Sequence, residues 1–351
     1  MALWIDKYRP QSLDELSYHD ELTQRLREIV SSNDFPHLLL YGPSGAGKAT
    51  RVRCILKALY GAGATKLRLE TRGFTTPGGK KLEIQTVSSN YHIELTPSDV
   101  GIHDRIVVQE VIKQMAQTQQ LNEKAQKEFK VVVLREVDGL STDAQHALRR
   151  TMEAYSGNCR LILVCESLSR VIDPLRSRCM MLRVPAPSET DIASVIANVA
   201  NAENVLPLPQ TVMRNIIAQG RGNLRRSLLL LESGRAQQFP FQENQRLPEP
   251  EWEIYLRETA QMIIRKQSAE VIIQVRERLY EIISRCIPPP IIFRELLRYL
   301  LEATPPHAKA EVAAIAAEKE YGLTKGNKAI FHLEAFVAAF MDIYMRAREG
   351  H

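Results

Sequence analysis

The sequence has few cysteines, and their spacing gives no candidate zinc site. No two of them form a Cys-x-x-Cys pair, and their number is odd: the five are Cys54, Cys159, Cys165, Cys179 and Cys286. This pattern predicts reduced thiols in an intracellular protein. The longest apolar runs fall far short of the roughly 18 residues that a membrane-spanning helix needs. The first residues lack the apolar segment and cleavage site of a signal peptide.

Neither sign of charge dominates the composition. The 46 basic and 41 acidic residues leave a formal net charge of +5, which is compatible with a nucleic-acid partner but does not indicate one by itself. With 351 residues, of which 44% are hydrophobic, the chain should form two or three domains with substantial cores.

A glycine-rich loop lies between a predicted strand and a predicted helix. Residues 35–41 include a short apolar stretch typical of a buried parallel strand, and residues 51–60 carry apolar side chains at helical spacing. This is the context of a P-loop, in which backbone amides and a helix N-terminus surround a phosphate and a lysine reaches the β- and γ-phosphates. The predicted loop consists of Gly42, Pro43, Ser44, Gly45, Ala46, Gly47 and Lys48.

The position after the loop lysine departs from this motif. Ala49 stands where the motif has a serine or threonine whose hydroxyl holds Mg²⁺. Thr50 comes one residue late, and because a helix turns about 100° per residue its hydroxyl should point elsewhere.

A second departure follows the predicted buried strand 129–134. In P-loop ATPases such a strand ends in an aspartate that holds Mg²⁺ and a glutamate that polarises water. Here Arg135 occupies the aspartate position, and a cation is the reverse of a metal ligand. Glu136 occupies the glutamate position. It is a candidate active-site residue, although it could also cap the end of a strand.

The remaining pattern predicts an α/β domain followed by helices. Strand–helix alternation across residues 36–184 indicates a parallel sheet, with a hairpin turn at 76–80 and a helix over 104–120. Residues 4–10 are predicted to be extended, because a residue before proline avoids the helical region. They could surround an adenine base or form an ordinary N-terminal arm. A capping signature, Ser188-x-x-Asp191, begins a small helical domain. The predicted domains are 1–185, 186–240 and 250–351.

Several of these segments together resemble one family. Residues 4–10, 42–48, 136–138, 144–153 and 177–179 are similar to those of the small subunits of eukaryotic replication factor C, which are AAA+ sliding-clamp loaders. The resemblance covers essentially the whole chain. It is greatest to the subunit type numbered 3 in humans and 5 in budding yeast.

The resemblance implies a fold, a set of partners and a set of site residues. It implies an AAA+ P-loop domain, a helical lid and an all-α collar in a heteropentamer that uses ATP to open the PCNA clamp and load it on primer–template DNA in the nucleus. Alternative clamp loaders could share the subunit. Tyr8, Arg9 and Pro10 would lie near the adenine, Arg225 would sense the phosphates, and Arg178 would reach a neighbour's γ-phosphate. Arg105 and Lys113 are the candidate DNA contacts.

The departures lead to an expectation about hydrolysis. Besides Ala49 and Arg135, Glu166 stands where the family usually has an asparagine that orients the attacking water. We therefore expect the site to bind ATP or ADP, with doubtful Mg²⁺, and to hydrolyse little. The alternative is a competent ATPase subunit of this or a related DNA replication or repair machine, with Thr50 or Asp138 replacing the missing ligands.

Overall fold

The computed structural model describes residues 2–32, 34–75, 81–117, 129–326 and 328–349. The chain divides into two compact units, Met1–Leu247 and Pro248–His351. Each unit has its own hydrophobic core. The three predicted domain boundaries stay a prediction.

A mixed seven-stranded sheet forms the centre of the first unit. Its order is β2-β3-β4-β5-β6-β1-β7. The five strands from β4 to β7 in that order run parallel, and β2 and β3 form an antiparallel extension at one edge. The predicted parallel sheet is therefore present, but with an antiparallel edge; the predicted turn at 76–80 lies outside the described residues. The strands are β1 Leu38–Tyr41, β2 Arg68–Thr75, β3 Lys81–Ser88, β4 His92–Leu95, β5 Lys130–Leu134, β6 Cys159–Cys165 and β7 Met180–Arg183.

Helices cover both faces of this sheet. Successive strand residues point to opposite faces, so Leu38 and Leu40 pack on one side and Leu39 on the other. One face packs against α2 (Asp20–Ser31) and α3 (Lys48–Tyr60), and the other against α4 (Asp104–Gln117) and α5 (Thr142–Ala154). Residues 118–120 of the predicted 104–120 helix lie outside the described residues. A short helix, α6 (Asp173–Arg176), precedes β7.

The N-terminal segment differs from the prediction of extended chain. Trp4–Lys7 forms one helical turn, α1, with the amides of Asp6 and Lys7 donating to the carbonyl of Leu3. The restriction before a proline acts only on Arg9. The turn forms because it buries Trp4, which is 6% exposed, in a core formed by the three helices that follow the sheet in the sequence.

Three helices complete the first unit: α7 (Glu189–Ala202), α8 (Gln210–Gly220) and α9 (Leu224–Gln237). The predicted capping signature is confirmed, because Ser188 and Asp191 form a reciprocal capping box at the start of α7. The apolar faces of α7, α8 and α9 enclose a core that includes Ile196, Val212 and Leu231. These helices are referred to below as the lid.

Helices are the only regular secondary structure among the described residues of the second unit. Its apolar faces meet in one core, in which Phe293 and Phe336 lie 4.7 Å apart between ring centroids. None of the described helices in either unit is long and apolar enough to cross a membrane. The five helices are α10 Glu251–Arg265, α11 Ala269–Ser284, α12 Pro289–Ala303, α13 Lys309–Lys325 and α14 Ala329–Glu349.

Candidate nucleotide-binding site

A cavity of about 370 Å³ opens in the first unit where β5 and β6 end, beside the glycine-rich loop and under lid helices α7 and α9. The carboxyl ends of parallel strands are where open α/β sheets bind ligands. Gly42, Pro43 and Ala46 belong to the loop but do not line the cavity. The predicted nucleotide-binding residues that line it are Tyr8, Arg9, Pro10, Ser44, Gly45, Gly47, Lys48, Ala49, Thr50 and Arg225.

The loop has the backbone geometry of a phosphate cradle. It connects β1 to α3, and α3 begins at Lys48, so the free amides of the first helical turn face the loop. The ammonium of Lys48 donates to the carbonyls of Gly42 at 2.6 Å and Pro43 at 2.9 Å. Burial lowers the pKa of Lys48, and the nearby Glu166 carboxylate opposes this effect. A cation and a set of free amides thus converge at one end of the cavity.

Arg51 supports this loop from beneath, and sequence reasoning missed it. Its side chain is fully buried. Its guanidinium donates to the carbonyls of Ala46 at 3.3 Å and Tyr18 at 3.0 Å, and lies 4.8 Å from the centre of the Tyr18 ring. Gly47, at φ +90°, could not carry a Cβ there without meeting Tyr18 Oη at 2.4 Å. Nothing in the sequence distinguishes Arg51 from Arg53, the other arginine of α3.

The residues at the two metal positions do not fit Mg²⁺. Ala49 offers a methyl group, and Arg135 enters the same cavity with a guanidinium. Asp138 already accepts the amides of Glu166 at 3.0 Å and Ser167 at 3.1 Å through one carboxylate oxygen, Oδ2. No group of three or more histidine, cysteine or acidic side chains within the described part of the chain could hold a metal ion.

Basic side chains from three parts of the fold gather around the cavity instead. Arg9 comes from the N-terminal segment, Arg135 from the end of β5, and Arg225 from the start of α9. Burial lowers the pKa of Arg9, and repulsion from Arg53, Arg225 and Arg135 lowers it further. The Asp6 carboxylate, which accepts Arg9 Nη2 at 2.8 Å, opposes this effect. Like charges held this close favour an anionic occupant.

Glu136 and Glu166 both line the cavity, at the ends of neighbouring strands. Glu136 has the left-handed backbone conformation, with φ 53°. This conformation costs energy for a residue other than glycine and is typical of functional sites. Glu136, the glutamate predicted from the sequence, thus lines the cavity and has an unfavourable backbone conformation there.

Arg178 does not line the cavity of its own chain. It lies on the surface after α6, where its Nε donates to Glu153 at 2.7 Å and its Nη1 to the Pro174 carbonyl at 2.9 Å. The bond from Arg178 lowers the pKa of Glu153. Since both side chains are part exposed, the pair could rearrange to meet another molecule.

Arg105 and Lys113, the candidate DNA contacts, are both exposed on α4. The start of that helix is fixed by the buried Asp104, which accepts the amide of Ser141 at 2.7 Å and its hydroxyl at 2.9 Å. Because Ser141 also caps α5, the two helices are held in one arrangement. Asp104 was another residue that sequence reasoning missed.

Comparison with known proteins gives one consistent result. A family profile described as "Replication factor C subunit 3, C-terminal domain" matches residues 252–348, and one described as "RCF1/5-like, AAA+ ATPase lid domain" matches 194–236. A third, "DNA polymerase III, delta subunit", matches 18–188. The chain is 54% identical to replication factor C subunit 3 of Mus musculus, with 99% of this chain and 98% of the relative covered.

A more distant relative is also named as a replication factor C subunit, and solved structures share the fold. Replication factor C subunit 5 of Schizosaccharomyces pombe is 45% identical, with 99% of this chain and 98% of the relative covered. The structure of a Thermotoga maritima RuvB variant superposes with a TM-score of 0.53 at 14% identity, over 85% of this chain and 93% of that one. At that identity the likeness concerns the fold alone.

Proposed function

The chain belongs to the eukaryotic replication factor C small subunits, and on that premise we propose that it binds an adenine nucleotide in a clamp loader but hydrolyses little of it. The AAA+ fold implies a nucleotide site. One observation carries the finer proposal: the cavity keeps the phosphate cradle and Lys48, while Ala49 and Arg135 take the two Mg²⁺ ligand positions.

The chain's own residues suffice to hold ATP or ADP. Backbone amides at the start of α3 bind the phosphates, aided by the positive end of the helix dipole. Lys48 exchanges its two carbonyl partners for phosphate oxygens. Arg9 and Arg225 add positive charge, and Tyr8 and Pro10 provide a wall for the base.

Hydrolysis asks more of the site than binding does. A metal ion normally neutralises the charge that develops on the transferred phosphoryl group, a contribution of several kcal/mol. Arg135 adds a fixed charge but cannot orient a water as a metal shell does, and Glu166 replaces the asparagine that the family uses for that water. Bound ATP is therefore expected to be hydrolysed slowly.

The surface position of Arg178 supports a role at a neighbouring subunit. A guanidinium is planar, permanently charged and able to bind phosphate oxygens in pairs. Arg178 lies away from the cavity of its own chain. Apart from contacts to the nearby Pro174 and Ser177, its described hydrogen-bond partner is Glu153. The proposed role is an arginine finger in trans, so that the chain contributes catalysis to a site it does not own.

The proposed setting is the replication factor C heteropentamer in the nucleus. The other small and large subunits surround the chain, and the all-helical second unit is the collar that joins them. The complex opens PCNA and closes it around primer–template DNA, and alternative clamp loaders share the subunit. Arg105 and Lys113 on α4 contact DNA phosphates.

A second candidate is a hydrolytically competent subunit, favoured by Thr50 and Glu136 lining the cavity. The test is single-turnover ATP hydrolysis and ADP affinity, each with Mg²⁺ and with EDTA. The variants are Ala49→Thr, Arg135→Asp and their combination, with Thr50→Ala as the matched control.

For the parent chain we expect ADP affinity to be nearly the same with Mg²⁺ and with EDTA. The double variant should bind ADP about tenfold more tightly with Mg²⁺, a gain of about 1.4 kcal/mol. Brisk Mg²⁺-dependent hydrolysis by the parent chain, lost in Thr50→Ala, would establish the competent subunit instead.

A further inference from the structure

The first residues of the chain are packed as part of the lid. Trp4 lies in the lid core, its amide donates to Glu232 Oε2 at 3.1 Å, and the Arg235 guanidinium lies 5.2 Å from the Trp4 ring centre. Ile5 and Tyr8 pack against the same core. Residues 4–8 are therefore attached to helices that follow them by about two hundred positions in the sequence.

One carboxylate accepts hydrogen bonds from two side chains of this segment. Glu203 ends α7, and its side chain is 12% exposed. Its Oε1 accepts the Lys7 ammonium at 2.6 Å and the Tyr8 hydroxyl at 2.7 Å, and its Oε2 accepts Arg235 at 3.4 Å. The hydrogen bonds from Lys7 and then Tyr8 lower the pKa of Glu203, so the carboxylate is ionised at neutral pH.

The residues that follow belong to the sheet body. The Pro10 carbonyl accepts the Cys54 thiol of α3 at 3.6 Å, and Leu13 and Leu16 lie in the core beneath that helix. The chain thus passes from the lid to the body within residues 9 and 10. Tyr8, Arg9 and Pro10 line the nucleotide cavity at this crossing.

We propose that Glu203 is a positioning residue that latches residues 4–8 to the lid, so that one wall of the cavity moves with the lid and controls nucleotide release. When the lid opens, Tyr8 and Arg9 are carried away from the base, or the two bonds to Glu203 Oε1 break first. Both events cost energy and must come before the nucleotide leaves. Nucleotide release is therefore slower than in a chain whose residues 4–8 are not bonded to the lid. This inference rests on the proposed nucleotide site.

The direct test is the rate at which a fluorescent ADP, mant-ADP, leaves the full-length chain after mixing with excess ADP. The variants are Glu203→Ala, Glu203→Gln, Tyr8→Phe and the double Tyr8→Phe/Glu203→Ala. The matched control is Glu311→Ala, which removes the carboxylate of another ion pair, to Arg346 at 3.1 Å, in the second unit.

We expect Glu203→Ala to increase the rate of nucleotide release by about fivefold. The effect should be no larger, because a hydrogen bond to the largely exposed Lys7 contributes less free energy than a buried one. Glu203→Gln keeps an acceptor oxygen, so its release rate should lie between those of the parent chain and Glu203→Ala. The double variant should match Glu203→Ala alone, because Tyr8 acts through Glu203. Glu311→Ala should leave the rate unchanged. Unchanged release in Glu203→Ala, or additive effects in the double variant, would refute the latch.

Amide hydrogen exchange separates this inference from the nucleotide proposal. The amides of Trp4, Lys7 and Tyr8 are hydrogen-bonded and should exchange faster in Glu203→Ala while α7 and α9 keep their protection. Such a result supports the latch even if the chain fails to bind mant-ADP, which would count against the nucleotide proposal alone. Faster exchange throughout the lid would mean that Glu203 only stabilises the lid, and unchanged exchange would mean that it holds nothing.

Discussion

Replacing Gly45 by alanine tests whether the lid is packed directly on the phosphate loop. An added Cβ would lie 1.8 Å from Oδ1 and 2.3 Å from Cγ of Asn223, the residue that precedes α9. The Asn223 side chain cannot simply turn away, because its Oδ1 caps α9 by accepting the Arg226 amide at 3.1 Å. The alanine must therefore break the cap or displace the lid.

Two contributions to the cost can be separated. Gly45 has φ +74°, and an L-residue in that region costs about 1–2 kcal/mol. Loss of the cap adds about 1 kcal/mol, so Gly45→Ala should destabilise the first unit by about 2–3 kcal/mol. Gly222 is the matched control: its φ is +75°, but an added Cβ would only touch Ala186 at 3.5 Å. Gly222→Ala should cost about 1–2 kcal/mol.

The assay is urea unfolding followed by the fluorescence of Trp4, which lies in the lid core. The sequence has two tryptophans, so a Trp252→Phe background leaves Trp4 as the only reporter. Asn223→Ser shortens the side chain but keeps a capping oxygen, and should cost little alone. Combined with Gly45→Ala it should recover about 1 kcal/mol. If Gly45→Ala costs no more than Gly222→Ala, or if Asn223→Ser recovers nothing, the lid does not rest on the loop.

Three further outcomes are expected. In the assembled complex, Arg178→Ala should lower hydrolysis at one neighbouring site by roughly 10³–10⁵-fold while the ring still forms; a ring that falls apart would make this arginine structural. Arg105→Ala or Lys113→Ala should each reduce the salt dependence of primer–template binding by about one in the log–log slope, for every sequence tested. Burial lowers the pKa of His37 and of His92 to about 4, below about 6.5 in the unfolded chain. Both are neutral in the fold, so the free energy of unfolding should keep their full contribution above pH 6.5 and fall by about 2 kcal/mol per histidine by pH 5. In urea unfolding, His37→Asn should reduce this fall by the contribution of one histidine.

The sequence determined those features that depend on neighbouring residues. Strand, glycine-rich loop and helix are set by local pattern, and the structure places a loop of that kind at Gly42–Lys48, beside a cavity. The departures at Ala49 and Arg135 were readable because each position of the motif has one chemical task. The Ser188–Asp191 capping box was equally local, since both of its bonds close within three residues.

Only the tertiary structure decided the features that depend on packing between distant segments. Proline spacing predicted an extended N-terminus, but burying Trp4 in the lid made Trp4–Lys7 helical. No local pattern marks Glu203 as the partner of Tyr8, since 195 positions separate them. Arg51 resembles any helical arginine until the fold closes around it. Side-chain roles of this kind arise from which surfaces the chain buries together, and that is a property of the whole fold.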